Sequence, residues 1–152
     1  ISNTANPTML EAGYKANVIP QNASAVIDGR FLPGYENELH ETIKKLAGDE
    51  IEFEILTRDI ALESDFSGPL VEAMCKAINV EDSTGIPVPY LMSGGTDNKA
   101  LHDLGIVGYG FSPLRLPEDL DFFALFHGVD ERVPIDGLKF GVRVLYEFLE
   151  NV

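Results

Sequence analysis

The stretch Leu62-Glu63-Ser64-Asp65-Phe66-Ser67-Gly68-Pro69 divides the chain into two differently patterned halves. Ser, Asp, Gly and Pro crowd into it, and its few apolar residues follow neither a period of two nor one of 3.6, so no strand or helix runs through it. A lobe boundary therefore falls near residues 59–66, which makes two domains of residues 1–61 and 62–152.

On the first side, residues 9–31 read as two strands around the turn Ile19-Pro20-Gln21-Asn22, with the clearest alternation in Ala23-Ser24-Ala25-Val26-Ile27-Asp28-Gly29-Arg30-Phe31. Pro33-Gly34 ends the second strand. A helix is predicted over 36–46, where Leu39, Ile43 and Leu46 are spaced by four and three and Gly48 is the stop. Ile51, Phe53 and Ile55 alternate with Glu52, Glu54 and Leu56, the pattern of a strand with one wet face. The order β, β, α, β describes an antiparallel α+β unit.

On the second side, Pro69 opens a helix whose buried stripe is predicted to be Leu70, Val71, Met74, Ala77 and Ile78. Short apolar strands are expected at 88–92 and 106–111, with a helix over 98–104 between them that Gly105 closes. The second of these strands is apolar on both faces, as in a sheet covered by helices. A loop at 112–132 holds Pro113 and Pro117, and a last helix at 135–149 should bury Leu138, Val142, Leu145 and Leu149.

The chain has 152 residues, 45% of them hydrophobic, enough for one ordinary domain or two small lobes. Its apolar runs fall well short of the roughly 20 residues of a membrane span, the pattern of a soluble globular chain. A net charge of −14 argues against nucleic acid and anionic membranes as partners. The single cysteine, Cys75, lies in a helical apolar pattern and reads as a buried thiol in a reducing compartment, so a cytoplasmic location is expected. Ile1-Ser2-Asn3-Thr4 is neither the start of a signal peptide nor an initiator Met, and the expectation is a fragment or processed chain.

Chemistry concentrates in Phe126-His127-Gly128-Val129-Asp130-Glu131-Arg132, where an imidazole, carboxylates and a guanidinium share a loop. His127 has the chemistry of a zinc ligand, although no His-x-x-x-His or His-x-Asp pattern accompanies it, and Asp130 and Glu131 equally suit a solvated acidic cluster ahead of a helix. His40 and His102 fall on polar helix faces. Ser93-Gly94-Gly95-Thr96-Asp97 is a strand-to-helix turn that reads either as a cradle for a carboxylate or oxyanion, or as a simple helix cap at Thr96 or Asp97. Arg30 either forks onto a substrate carboxylate or pairs with Asp28 or Glu36. Asn17, before Val18-Ile19-Pro20, serves the turn or a ligand. None of Ser2, Ser64, Ser67 and Ser93 has the context of a hydrolase nucleophile.

Taken in order, Asn17-Val18-Ile19-Pro20, Asp28-Gly29-Arg30, Ser93-Gly94-Gly95-Thr96-Asp97 and His127-Gly128-Val129-Asp130-Glu131 resemble the zinc aminoacylase and desuccinylase family of dinuclear metallohydrolases. That family includes acetylornithine deacetylase, succinyl-diaminopimelate desuccinylase, carboxypeptidase G and the carnosinase-type dipeptidases. The resemblance implies an α/β fold: part of a ferredoxin-like α+β lid, or dimerisation, domain, then the C-terminal part of an α/β zinc-peptidase catalytic domain. It implies His127 as a metal ligand, and Asn17, Arg30, Gly95 and Thr96 as residues near substrate.

By the same resemblance the complete enzyme binds two zinc ions, with Co or Mn as substitutes, acts on an N-acyl amino acid or small peptide, and forms a homodimer through the lid. The family's His-x-Asp element, bridging Asp, Glu-Glu pair, further acidic ligand and lid histidine have no match here and are expected upstream of Ile1. The 152 residues are thus expected to be inactive alone. The alternative is a non-catalytic interaction or dimerisation module that has lost its metal site.

Overall fold

In the computed structural model, which describes residues 2–152, the chain is a mixed α and β protein that divides into two compact units. One unit comprises residues 2–63 and 93–104. The other comprises residues 64–92 and 105–152. The segment carrying the Gly-Gly turn thus packs with the N-terminal residues.

In the first unit, β1 (Thr4–Ala12) pairs antiparallel with β2 (Ala23–Arg30), in a register that joins Thr4 to Arg30 and Ala12 to Ala23. A bulge between Pro7 and Met9 absorbs the proline, which has no N–H to give to a ladder. The turn expected at 19–22 is the end of a longer connection over residues 13–22. Helix α1 (Glu36–Ala47) has Glu36 and Glu38 in its first turn and Lys44 and Lys45 in its last, charges that complement its dipole. Of its three predicted apolar contacts, Leu39 is buried, Ile43 is half-buried and Leu46 is exposed. Leu39 lies over Gly29, where an added Cβ would stand 3.2 Å from Leu39 Cδ2.

In the second unit, α2 (Pro69–Glu81) starts with proline at its first position and buries Val71, Ala73, Met74 and Ala77, while Leu70 is exposed and Ile78 half-buried. Cys75, expected to be buried, is half-buried because it lies at the margin of that stripe. The short helix α3 (Asn98–Asp103) belongs to the first unit, and α4 (Ile135–Leu149) to the second. Ala77, Phe140 and Val144 form the core between α2 and α4, with Ile78, Phe111 and Phe148 packed against it.

Two sequence expectations are overturned. Among the described residues, 51–57, 88–92 and 106–111 are not strands. Strand pairing requires a neighbour on at least one side, and β1 and β2 are joined only to each other. Helix α4 also buries a different face from the one predicted. Gly137, Phe140, Gly141 and Val144 face inward, whereas Leu138, Val142, Leu145 and Leu149 are exposed. The reason is steric. A Cβ on Gly141 would come within 2.5 Å of the Pro113 carbonyl oxygen, and one on Gly137 within 3.0 Å of that of Arg115. The glycine face lets the loop backbone approach α4 more closely than a leucine face allows.

Candidate functional site

Arg30 ends β2, and the period of two places it on the same face as Asp28. Its Nε donates to Asp28 Oδ2 at 2.8 Å, and its Nη1 donates to the carbonyl of Ser93. The strand arginine is therefore tied to the Gly-Gly turn by a direct hydrogen bond. Both of the sequence readings for Arg30 bear on it, because the Asp28 pair is formed and one outer nitrogen is committed to backbone.

The turn leads into α3. Thr96 Oγ1 accepts a long hydrogen bond of 3.4 Å from the Asn98 amide, a weak cap, and Asp97 makes no side-chain cap. From the first turn of α3, the Lys99 ammonium reaches Asp59 Oδ2 at 2.5 Å. It also overlies Gly95, since a Cβ there would stand 3.7 Å from Lys99 Nζ. Lys99 and then the Ile60 amide hold the Asp59 carboxyl below the ordinary carboxylate range. Thr96, Asp97, Lys99, Asp103, Arg58 and Asp59 help to line an open cleft of about 440 Å³ in this unit. Arg58 is turned to Glu36 at 2.7 Å. Asn17 is exposed in the connection between β1 and β2, just after Lys15, whose carbonyl accepts from Val18 N at 3.2 Å.

His127 belongs to the second unit and is exposed. It stands third in a tight turn closed by Gly128 N donating to Leu125 O at 2.9 Å, with φ −59° and ψ 125° at Phe126 and φ 60° at His127. These are the angles of a type II turn, whose third position is favourable for glycine and costly for histidine. The His127 amide donates to Glu131 Oε2 at 3.2 Å, and Arg132 binds Asp130 at 2.5 Å. Beneath the turn, Phe122, Phe123 and Phe126 meet edge to face with ring centroids 5.2–6.3 Å apart.

A zinc centre requires three or four protein ligands around one point. Among the described residues no group of three or more His, Cys, Asp and Glu is arranged to hold a metal ion. His127 can offer an imidazole, but these residues do not make a metal centre by themselves.

Residues 2–52 match the peptidase dimerisation domain family. The N-fatty-acyl-amino acid synthase/hydrolase of Bos taurus is 29% identical over 160 residues, covering 99% of this chain and 31% of that protein. The chain is a relative of the aminoacylase-type peptidases. Aminoacylase-1 of Mus musculus is 30% identical over 153 residues, covering 93% of this chain and 35% of its own length. The probable carboxypeptidase S-like 2 of Dictyostelium discoideum is 29% identical over 153 residues, covering 95% and 28%. The chain thus spans about a third of the length of the curated relatives it matches. No solved structure matches it. Sequence reading missed Asp59 and Lys99, because they are 40 positions apart and no local spacing links them.

Proposed function

We propose that this chain is part of an amidohydrolase that cleaves an N-acyl amino acid or small peptide. The carrying observation is the similarity, over nearly all of the chain, to proteins named as an N-fatty-acyl-amino acid synthase/hydrolase and an aminoacylase. In this reading residues 1–61 are the C-terminal half of a lid that forms a homodimer, and residues 62–152 are part of a catalytic domain. The dimerisation-family match supports the first assignment.

Thr96 and the amides of the Gly95 turn orient the substrate's polar end, with Arg30 and Asn17 approaching from the strand pair. His127 supplies one ligand to a zinc site that the 152 residues do not complete, so the chain alone does not turn over substrate. A cytoplasmic location belongs to the same reading.

The test is zinc analysis with an amide-hydrolysis assay on N-acetyl amino acids, run on the 152-residue chain and on the longest protein that contains it. Turnover is expected only from the longer protein, with His127→Ala lowering its bound zinc by one ion per chain. Turnover by the 152 residues alone, or full zinc content in the His127 variant, overturns the assignment.

A further inference from the structure

Two basic side chains lie at the Gly-Gly turn, from different elements. Arg30 holds the Ser93 carbonyl from β2, and Lys99 lies over Gly95 with its ammonium on Asp59. Such a turn needs outside restraint. Two consecutive glycines have the widest backbone freedom in the chain, the Thr96 cap is long, and α3 has six residues, too few to be stable unaided. Asp59 is itself well fixed: Oδ1 accepts from the Ile60 amide at 2.9 Å, while Oδ2 takes the Lys99 ammonium at 2.5 Å. The lysine that reaches it is half-buried, with 28% of its side chain exposed.

We propose that Asp59 is a positioning residue for the turn at Gly95 and Thr96, acting through Lys99. Its carboxylate lies in an irregular segment with no motif of its own, yet it sets where the ammonium stands and hence which conformations the turn can adopt. A site that orients a ligand requires such support, because a loosely held turn presents its hydroxyl and amides in many directions. The consequence for substrate rests on the amidohydrolase reading, whereas the clamp itself does not.

Backbone order parameters from NMR relaxation on the ligand-free 152-residue chain separate the two. In Asp59→Ala and Lys99→Gln, the order parameters at Gly95 and Thr96 should fall from about 0.85 to below about 0.6 while that of Val26 in β2 is unchanged, and Asp59→Glu should restore most of the order. If Asp59→Ala also perturbs Val26, Lys99→Gln carries the test. Unmoved Gly95 and Thr96 amides in Lys99→Gln, or identical behaviour of the Ala and Glu variants, overturn the clamp. In the longer protein, Asp59→Ala should raise KM by about tenfold with kcat within about twofold, as expected when ligand positioning rather than chemistry is lost. An unchanged KM overturns the link to substrate, and a wild-type protein without amidase activity overturns the functional reading while the relaxation result stands.

Discussion

At His127 the backbone has φ 60°, a region that costs a residue with a Cβ about 1–2 kcal/mol. Strain of this kind persists where the surroundings or the function require it. His127→Gly should therefore stabilise the 152-residue chain by about 1 kcal/mol in urea unfolding, whereas His127→Ala keeps the strained angle and should not. Loss of stability in the Gly variant would mean that the imidazole makes contacts worth more than the strain. A second residue-scale effect concerns Asp82 at the end of α2, whose carboxylate accepts from the Thr84 hydroxyl at 2.7 Å and amide at 3.1 Å. These bonds, the hydroxyl's first, hold its pKa below the ordinary value of 3.8. A depressed folded pKa stabilises above the unfolded value and is lost as pH falls through the folded one. Stability should thus decline below about pH 4, and less steeply in Asp82→Asn, a difference that acid titration followed by circular dichroism reads directly.

Helices and strands differed in how legible they were. Pro69, the apolar spacing of 36–46 with its stop at Gly48, and the spacing within 135–149 are local signals, and all three helices formed where those signals predicted. The segments at 51–57, 88–92 and 106–111 carry equally clear patterns, but a strand is a property of a pair, and no partner pairs with them among the described residues. The buried face of α4 was also illegible, because a leucine stripe and a glycine-containing stripe lie side by side on one helix. Choosing between them required the loop at Pro113 and Arg115. Gly141→Ala tests that choice: the helix gains about 1 kcal/mol of propensity, but the new methyl meets a backbone oxygen that cannot move aside cheaply. A net loss of about 1–2 kcal/mol in chemical denaturation is expected, and equal or greater stability would show that the loop is not seated on that face.

Among the described residues, exposed large apolar side chains outnumber buried ones. Among the described residues the buried hydrophobic ones are Leu39, Val71, Ala73, Met74, Ala77, Phe140 and Val144, while Ile135, Leu138, Val142, Leu145 and Leu149 on α4 alone are exposed. Contiguous apolar surface of this kind drives association. Sedimentation of the 152-residue chain should show concentration-dependent self-association, and Leu138→Glu combined with Leu145→Glu should weaken it without reducing helix content. A chain that sediments as a monomer at high concentration would refute this. For the candidate site, the motifs containing Arg30, Gly95, Thr96 and His127 were visible as residue types in order. Their surroundings were not, since the hydrogen bond from Arg30 to Ser93 and the pair of Asp59 with Lys99 join positions 63 and 40 residues apart. The amino-acid sequence by itself determined the family resemblance and the helices, because these depend on residue order and on contacts within a few positions. Only the tertiary structure decided which face of α4 is buried, which extended segments find a partner, and which cations hold the Gly-Gly turn, because each depends on groups that meet only when distant parts of the chain pack together.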